Sequence, residues 1–368
     1  MHSADSKTNY AKQQLKQFKE EIDTQVDQYF AHETKRVQQI YSNKDSLATL
    51  EALASVTARG GKRLRGSFVY YTYQMLGGKD LAEAMKAALA IEMIHAYLLI
   101  EDDFMDLSDT RRGGPTGHKM MEKFHRENYR KGDPVHAGNS LGVLASLMGS
   151  HLAMEIVSQL NAEPETILKM MLNLNQRLNT TVHGQINDVV NEYKDGVTEE
   201  EVFNVLHWKT AAYTYENPIH FGAIMAGATD EDLELLTGYS IPAGIAFQIQ
   251  DDILGVFGEE KATGKSNLDD LKEGKITLLV QFALEHADPQ QRAIIKKTIG
   301  NRELTVTDLE VVRDIFRVTG SLEYSKQKAL EFVQEAKKCL LSSRPSNWSD
   351  DGFNYLLGIA DYMIERNL

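Results

Sequence analysis

A single cysteine, Cys339, stands in 368 residues, which excludes an intramolecular disulfide framework and a cysteine-based zinc site. Proline is nearly as scarce, seven in all, and a chain with so few breakers is free to form long helices. No run of 18 or more apolar residues occurs and the first forty residues are too polar for a secretory signal. No bilayer-spanning segment is therefore expected, and a cytoplasmic location is. Positive charge is in deficit as well, with 40 Lys+Arg against 53 Asp+Glu and a net charge of −13. Such a balance argues against a surface that binds nucleic acid or anionic lipid, so any anionic partner must be gripped by a local cluster of cations.

What is present is helical periodicity. Leu15, Phe18, Ile22, Val26 and Tyr29 step by three and four, the stripe of an amphipathic helix, and the pattern returns from Ser46 to Ala58. Segments 64–76, 80–107, 138–160, 164–193, 231–257, 322–342 and 351–365 read the same way, with short loops such as Gly113-Gly114-Pro115 and 258–265 between them. No alternating strand pattern of useful length and no Pro/Ser-rich linker interrupts them. The expected organisation is one all-α domain over residues 1–368, a bundle of long helices around a central cavity, with residues 1–44 as an amphipathic N-terminal arm.

Two helices stand apart. From Leu89 to Ile100 only Glu92 and His95 interrupt an apolar run, and from Ile241 to Ile249 only Gln248 is strongly polar. A helix apolar on all sides belongs in the middle of a fold. Yet each of these ends in paired acids, Glu101-Asp102-Asp103-Phe104-Met105-Asp106 in one and Gln250-Asp251-Asp252 in the other. Acids near a helix C-terminus are opposed by the macrodipole, so the repeated constellation calls for a neutralising partner. Asp102 and Asp106 are one turn apart and can share a hard cation, with Asp251 contributing from a facing helix. An all-oxygen ligand set favours Mg²⁺ completed by water and phosphate over zinc.

The basic residues also point to phosphate. Gly60-Gly61-Lys62-Arg63-Leu64-Arg65 precedes a helix, where unsatisfied N–H groups and the positive dipole end attract anions. Lys62 and Arg65, three apart, are expected on one face. Arg111-Arg112 follows the first acidic cluster, while Lys209, Lys265 and Lys275 lie around the second.

These residues resemble the trans-type polyprenyl diphosphate synthases, the farnesyl and geranylgeranyl diphosphate synthase family. Gly61-Lys62-Arg63-Leu64-Arg65 is similar to that family's homoallylic-diphosphate loop, and His95 precedes Asp102-Asp103-Phe104-Met105-Asp106 and Arg111-Arg112-Gly113 as in its first aspartate-rich motif. Gly184-Gln185-Ile186-Asn187-Asp188, Lys209-Thr210, Phe247-Gln248-Ile249-Gln250-Asp251-Asp252, Thr263-Gly264-Lys265 and Asp270-Leu271-Lys272-Glu273-Gly274-Lys275 follow in order. An ordered set of motifs is specific where one alone is not.

The resemblance implies an isoprenoid synthase fold, a homodimer, and Mg²⁺-dependent head-to-tail condensation of isopentenyl diphosphate with an allylic diphosphate through an allylic carbocation. It implies roughly three Mg²⁺ ions acting as Lewis acids on the leaving diphosphate, held by Asp102, Asp106 and Asp251 with Asp103, Asp188, Asp252 and Asp270 beside them. Arg111, Lys209, Lys265 and Lys275 would contact the allylic diphosphate. Gly61, Lys62, Arg65, His95 and Arg112 would hold isopentenyl diphosphate. Thr210, Gln248 and Gln185 would offer oxygen dipoles to the cation, and Tyr213 and Phe247 would line the prenyl side. Gly255 departs from the third aspartate many members carry in the second motif, a change not expected to abolish activity.

Product length is expected to follow the residues before Asp102. Tyr97 lies five residues earlier, about 7.5 Å of helix rise, and Leu98 four earlier. One aromatic at the fifth position is similar to geranylgeranyl diphosphate synthases, and a twenty-carbon product is expected, with farnesyl or longer products as the alternative. Three other classes compete. A di-iron bundle would use Glu92–His95 and Glu122–His125, but the second pair lies in a polar stretch and the Asp pairs would be left without a role. A class I terpene cyclase would not need the Gly-Lys-Arg loop. A non-catalytic partner subunit would have lost acids or basic loops, and none is missing.

Overall fold

The computed structural model describes residues 2–258, 266–342 and 344–365. Among them helices dominate, and the chain divides into two compact units: a first of residues 13–70 and 79–167, and a second of 1–12, 71–78 and 168–368.

In the first unit, helix α1 (His2–Ile40), from residue 13 on, buries Leu15, Phe18, Ile22, Val26, Phe30 and Val37, the stripe expected from the spacing, with Phe30 deeper than Tyr29. Asn43 caps α2 (Lys44–Ala58) by accepting from the Ser46 N–H, and Asp80 caps α4 (Leu81–Met105) by accepting from Glu83, each satisfying one of the orphan donors of a first helical turn. Between them lies α3 (Leu64–Met75). The apolar run of α4 is buried through Ile94, as its lack of a polar face requires.

Helix α6 (Pro134–Ser158) is long and apolar enough by length and composition to cross a bilayer. Here it packs along α4 and α5 (Gly117–Asn128). Its glycines make that contact close: a side chain at Gly138 would meet the Glu122 Cβ at 2.7 Å, and one at Gly142 the His118 Cβ at 2.9 Å. The Asp133 cap and Pro134 at the first turn start this helix four residues before the apolar periodicity does. A two-residue ladder absent from the sequence reading pairs β1 (Thr110–Arg111) with β2 (Gly114–Pro115). Arg112 and Gly113 form its turn at φ 51° and 73°, a left-handed pair that suits a tight hairpin.

In the second unit, α7 (Pro164–Asn191), α10 (Asp230–Phe257), α15 (Ser321–Ser342) and α16 (Asp350–Ile364) match the predicted segments within a residue or two. Helix α15 packs along α10, and Ile249, Ile253, Leu278, Val312 and Phe316 sit in the shared core. Elements the periodicity did not assign are α8 (Glu199–Val205), a π-helix (Leu206–Glu216), α9 (Asn217–Met225), α11 (Asp269–Glu273), α12 (Leu278–His286), α13 (Pro289–Thr298) and α14 (Val306–Val318). Several are two or three turns long, too short to repeat a periodic pattern, and their boundaries are written in caps such as Thr198/Glu201, Asp288/Gln291 and Thr305/Asp308.

Candidate active site

In the first unit the basic and acidic motifs converge on the end of α4. Helix α3 begins only at Leu64, after Arg63 turns through φ 57°. Lys62 therefore stands outside the helix, exposed, and does not share a helical face with Arg65 as the three-residue spacing suggested. The cation that Arg65 meets is Arg112 instead, across His95. Arg65 Nη1 lies 3.3 Å from His95 Nε2, and Arg112 Nη2 lies 3.3 Å from the same nitrogen. Two guanidinium donors on one ring nitrogen require that nitrogen to be unprotonated, which puts the imidazole hydrogen on Nδ1. Burial, with Arg65, Arg112, Arg111 and Arg63 around it, holds His95 well below its ordinary 6.5. Burial and the neighbouring Arg111 also bring Arg112 down to about 10. Positive charge is thus crowded around a neutral acceptor, and an anion would relieve both shifts.

Arg111, the next residue, turns the other way. Its Nε donates to Asp103 Oδ1 and its Nη2 to Asp102 Oδ2 at 3.3 Å. Asp103 is fully buried, Asp106 nearly so, and Asp102 only partly. Asp102 is therefore the most approachable acid of the three. Helical geometry holds Asp106 one turn on, its N–H donating to the Asp102 carbonyl at 2.8 Å. Arg59, which the sequence reading did not single out, supports the hairpin between them. Its guanidinium donates to the carbonyls of Arg111 at 2.9 Å and Pro115 at 2.7 Å.

Tyr97 faces α6, where a side chain on Gly149 would stand 3.0 Å from its Cβ. Its hydroxyl bonds Ser150, and burial with Glu101 nearby pushes the phenol up to about 12. Leu98 beside it is partly buried. The di-iron pairs are otherwise engaged. Glu92 accepts from Arg63 and the Gly66 N–H through its two oxygens, and Glu122 pairs with Lys119 and Arg126.

The second unit gathers the described residues of the remaining motifs around the π-helix, a form of helix frequent at functional sites. Lys209, Thr210 and Tyr213 all lie on it. A β-carbon on Gly184 would collide with the Lys209 backbone, and one on Gly244 would meet the Ala211 Cα at 2.6 Å. Only glycine lets α7 and α10 approach the π-helix this closely. Lys209 Nζ accordingly reaches Asp188 Oδ2 at 2.6 Å, and Lys275 Nζ reaches the same oxygen at 3.1 Å. The two ammonium groups outweigh burial and hold Asp188 below its ordinary range. Glu192, 3.6 Å from Lys275, is a neighbour that no motif signalled.

Thr210 Oγ1 donates to Gln248 Oε1 at 3.1 Å, and Gln248 Nε2 donates to Asp252 Oδ1 at 2.7 Å. With its hydrogen committed, the Thr210 oxygen keeps its lone pairs for another partner. Tyr213 is buried, Phe247 partly so and 5.8 Å from the Tyr215 ring. Gln185 is partly buried and Asp251 exposed. Burial, then Asp270, with Asp251 and Asp188 adding, drives Asp252 well above the usual carboxyl range. Thr263, Gly264 and Lys265 lie outside the described residues.

Among the described residues no three His, Cys, Asp or Glu side chains converge into a ready-made cation site. The chemistry of the donors nonetheless suits magnesium, because they are all carboxylate oxygens and Mg²⁺ takes one or two carboxylates plus water and substrate phosphate. Asp270 and Asp251 lie near enough to buried Asp252 to raise it further after burial itself, a concentration of carboxylates that a divalent ion would neutralise.

A polyprenyl synthetase family profile matches residues 48–316. A geranylgeranyl diphosphate synthase of Methanosarcina mazei is 33% identical over 309 residues, 83% of this chain and 86% of its own. One of Sulfolobus acidocaldarius is 32% identical over 345 residues, 92% and 98%. The crystal structure of a geranylgeranyl pyrophosphate synthase from Corynebacterium glutamicum, complexed with isoprenyl diphosphate and magnesium, superposes with a TM-score of 0.89 at 30% identity, covering 96% of this chain and 99% of its own. With its all-α isoprenoid synthase fold, the chain belongs to the polyprenyl synthetase family of prenyltransferases.

Proposed function

We propose that this enzyme makes geranylgeranyl diphosphate by adding isopentenyl diphosphate to an allylic diphosphate. The observation that carries the reading is the meeting of Arg65 and Arg112 on neutral His95, beside the acids that Arg111 tethers. Isopentenyl diphosphate is held there, with Lys62 and the Gly61 backbone completing the grip. Asp102, Asp106 and Asp251 hold about three Mg²⁺ ions, which when bound neutralise charge on the departing diphosphate. Asp103, Asp188, Asp252 and Asp270 support those ligands, and Arg111, Lys209, Lys265 and Lys275 contact the allylic diphosphate.

The chain's own residues then manage the cation. The carbon–oxygen bond of the allylic diphosphate breaks, the isopentenyl double bond attacks the allylic carbon, and a proton leaves to the released diphosphate. Oxygen dipoles from Thr210, Gln248 and Gln185 and the faces of Tyr213 and Phe247 stabilise positive charge without trapping it covalently. Tyr97 with Leu98 forms the floor that stops growth at twenty carbons. The names of the Methanosarcina and Sulfolobus relatives support that length.

The enzyme works in the cytoplasm as one catalytic domain and as a homodimer. Val143, Leu144 and Leu147 on α6, each about half exposed, support a partner copy, since an apolar surface of this kind is a candidate interface. The test is incubation of purified protein with Mg²⁺, isopentenyl diphosphate and dimethylallyl, geranyl or farnesyl diphosphate in turn, followed by product sizing. Twenty-carbon diphosphate is expected. A farnesyl or longer product would overturn the length, and cyclic hydrocarbon without condensation would favour a terpene cyclase.

A further inference from the structure

Arg63 sits between Lys62 and Arg65, yet its side chain is almost wholly buried. Its fork is spent inside the protein: Nε donates to Asp23 Oδ1 at 2.8 Å, Nη1 to Glu92 Oε2 at 3.1 Å and Nη2 to the Thr57 carbonyl at 2.9 Å. The second oxygen of Glu92 accepts from the Gly66 N–H at 2.8 Å. One buried carboxylate thus grips the loop on both sides of Arg65. Glu92 and His95 are three residues apart on α4, so successive positions on one helical turn hold the loop and receive the Arg65 guanidinium.

The local backbone is shaped to this purpose. Arg63 takes a left-handed φ of 57°, which costs a residue with a β-carbon on the order of 1 kcal/mol and persists only where the surroundings enforce it. A side chain at Gly60 would collide with the Arg63 guanidinium, and one at Gly66 would press on Glu92 Cγ and the Phe18 ring, both at 3.1 Å. Asp23 and Phe18 both belong to α1, so the N-terminal helix is part of the arrangement.

We propose that Arg63, Glu92 and Asp23 form a latch that positions Lys62 and Arg65 for isopentenyl diphosphate, and that fixing this latch is a function of the N-terminal arm. The inference rests on the assignment of isopentenyl diphosphate to Lys62, Arg65, His95 and Arg112. All three are positioning residues and none touches substrate.

The test uses the full-length enzyme and steady-state kinetics with each substrate varied in turn. Replacing a buried ion pair by apolar side chains commonly preserves a fold, so Arg63→Met combined with Glu92→Leu is the principal variant. A rise of about tenfold or more in KM for isopentenyl diphosphate is expected, with kcat and the allylic KM within about threefold. Asp23→Asn, at a partly exposed carboxylate, should give a smaller rise of the same kind and serves if the double variant does not fold. Arg63→Lys, which keeps charge but loses the fork, should fall between them. An unchanged KM for isopentenyl diphosphate, or an equal loss in all three constants, overturns the latch. Lys62→Ala reads the assignment itself: no change in KM there refutes the assignment, and the inference falls with it.

Discussion

Gly255 and the carboxylate of Asp270 fill one volume, for a β-carbon on the glycine would overlap Asp270 Oδ2. The family's third aspartate is thus absent at a place where another chain segment already delivers a carboxylate. Restoring it should do harm. Gly255→Asp is expected to push the partly buried Asp270 carboxylate aside at a cost of about 1 kcal/mol, and to lower kcat by roughly tenfold by adding like charge beside Asp252. Adding Asp270→Gly should recover part of the loss. Urea melts and rates at saturating substrate decide it, and an unimpaired single variant would refute the account.

Tyr97 spans from α4 to Ser150 on α6, and Gly149 leaves room for its stem. Tyr97→Ala should lengthen the products resolved by chromatography by one isoprene unit or more. Tyr97→Phe, which loses only the hydroxyl, should leave length unchanged, and Leu98→Tyr should shorten it. Unaltered products from Tyr97→Ala would put the floor elsewhere.

The bond from Thr210 to Gln248 makes opposite predictions for two small changes. Thr210→Ser keeps the oxygen and should retain most activity. Thr210→Val keeps the shape and should lower kcat by roughly 10- to 100-fold with little change in either KM, the mark of an interaction made in the transition state. A large KM effect with kcat intact would assign Thr210 to ground-state binding instead.

His220 lies away from these motifs in a buried network, its Nε2 2.9 Å from Thr237 Oγ1 and 3.1 Å from the Leu233 carbonyl. Burial, with Arg177 adding, lowers it from 6.5 to about 4. Between those values the unfolded chain binds a proton that the folded chain refuses, so the contribution is complete above pH 6.5 and is lost as pH falls. Cooling of stability between pH 6.5 and 5 should be roughly 2 kcal/mol smaller in His220→Asn than in the parent, from 1.36 kcal/mol per pH unit. Denaturant titrations at the two pH values measure the difference, and parallel slopes would show that the ring titrates normally.

Much of this was legible in the chain, for physical reasons that also explain the rest. The apolar runs of α4 and α10 had to be interior because no polar stripe interrupts them, and acids at their ends required counter-charge, which Arg111 supplies to Asp102 and Asp103. The π-helix was hidden because its widened turns break the 3.6 period that reveals ordinary helices. Arg63, Asp23 and Thr57 could not be grouped in advance, since their pairing spans up to forty residues of chain and no local pattern encodes it. Gly184 was visible as a motif letter, but its reason, the touching backbones of α7 and the π-helix, exists only in three dimensions.

The tether from Arg111 to Asp102 and Asp103 bears on how the protein is born. Since these acids carry a counter-ion from the same polypeptide, a nascent chain needs no dissolved salt of a divalent element to close this region. Stripping with a chelator should silence turnover while leaving the melting profile nearly intact, so apo material can be stockpiled and switched on by later addition.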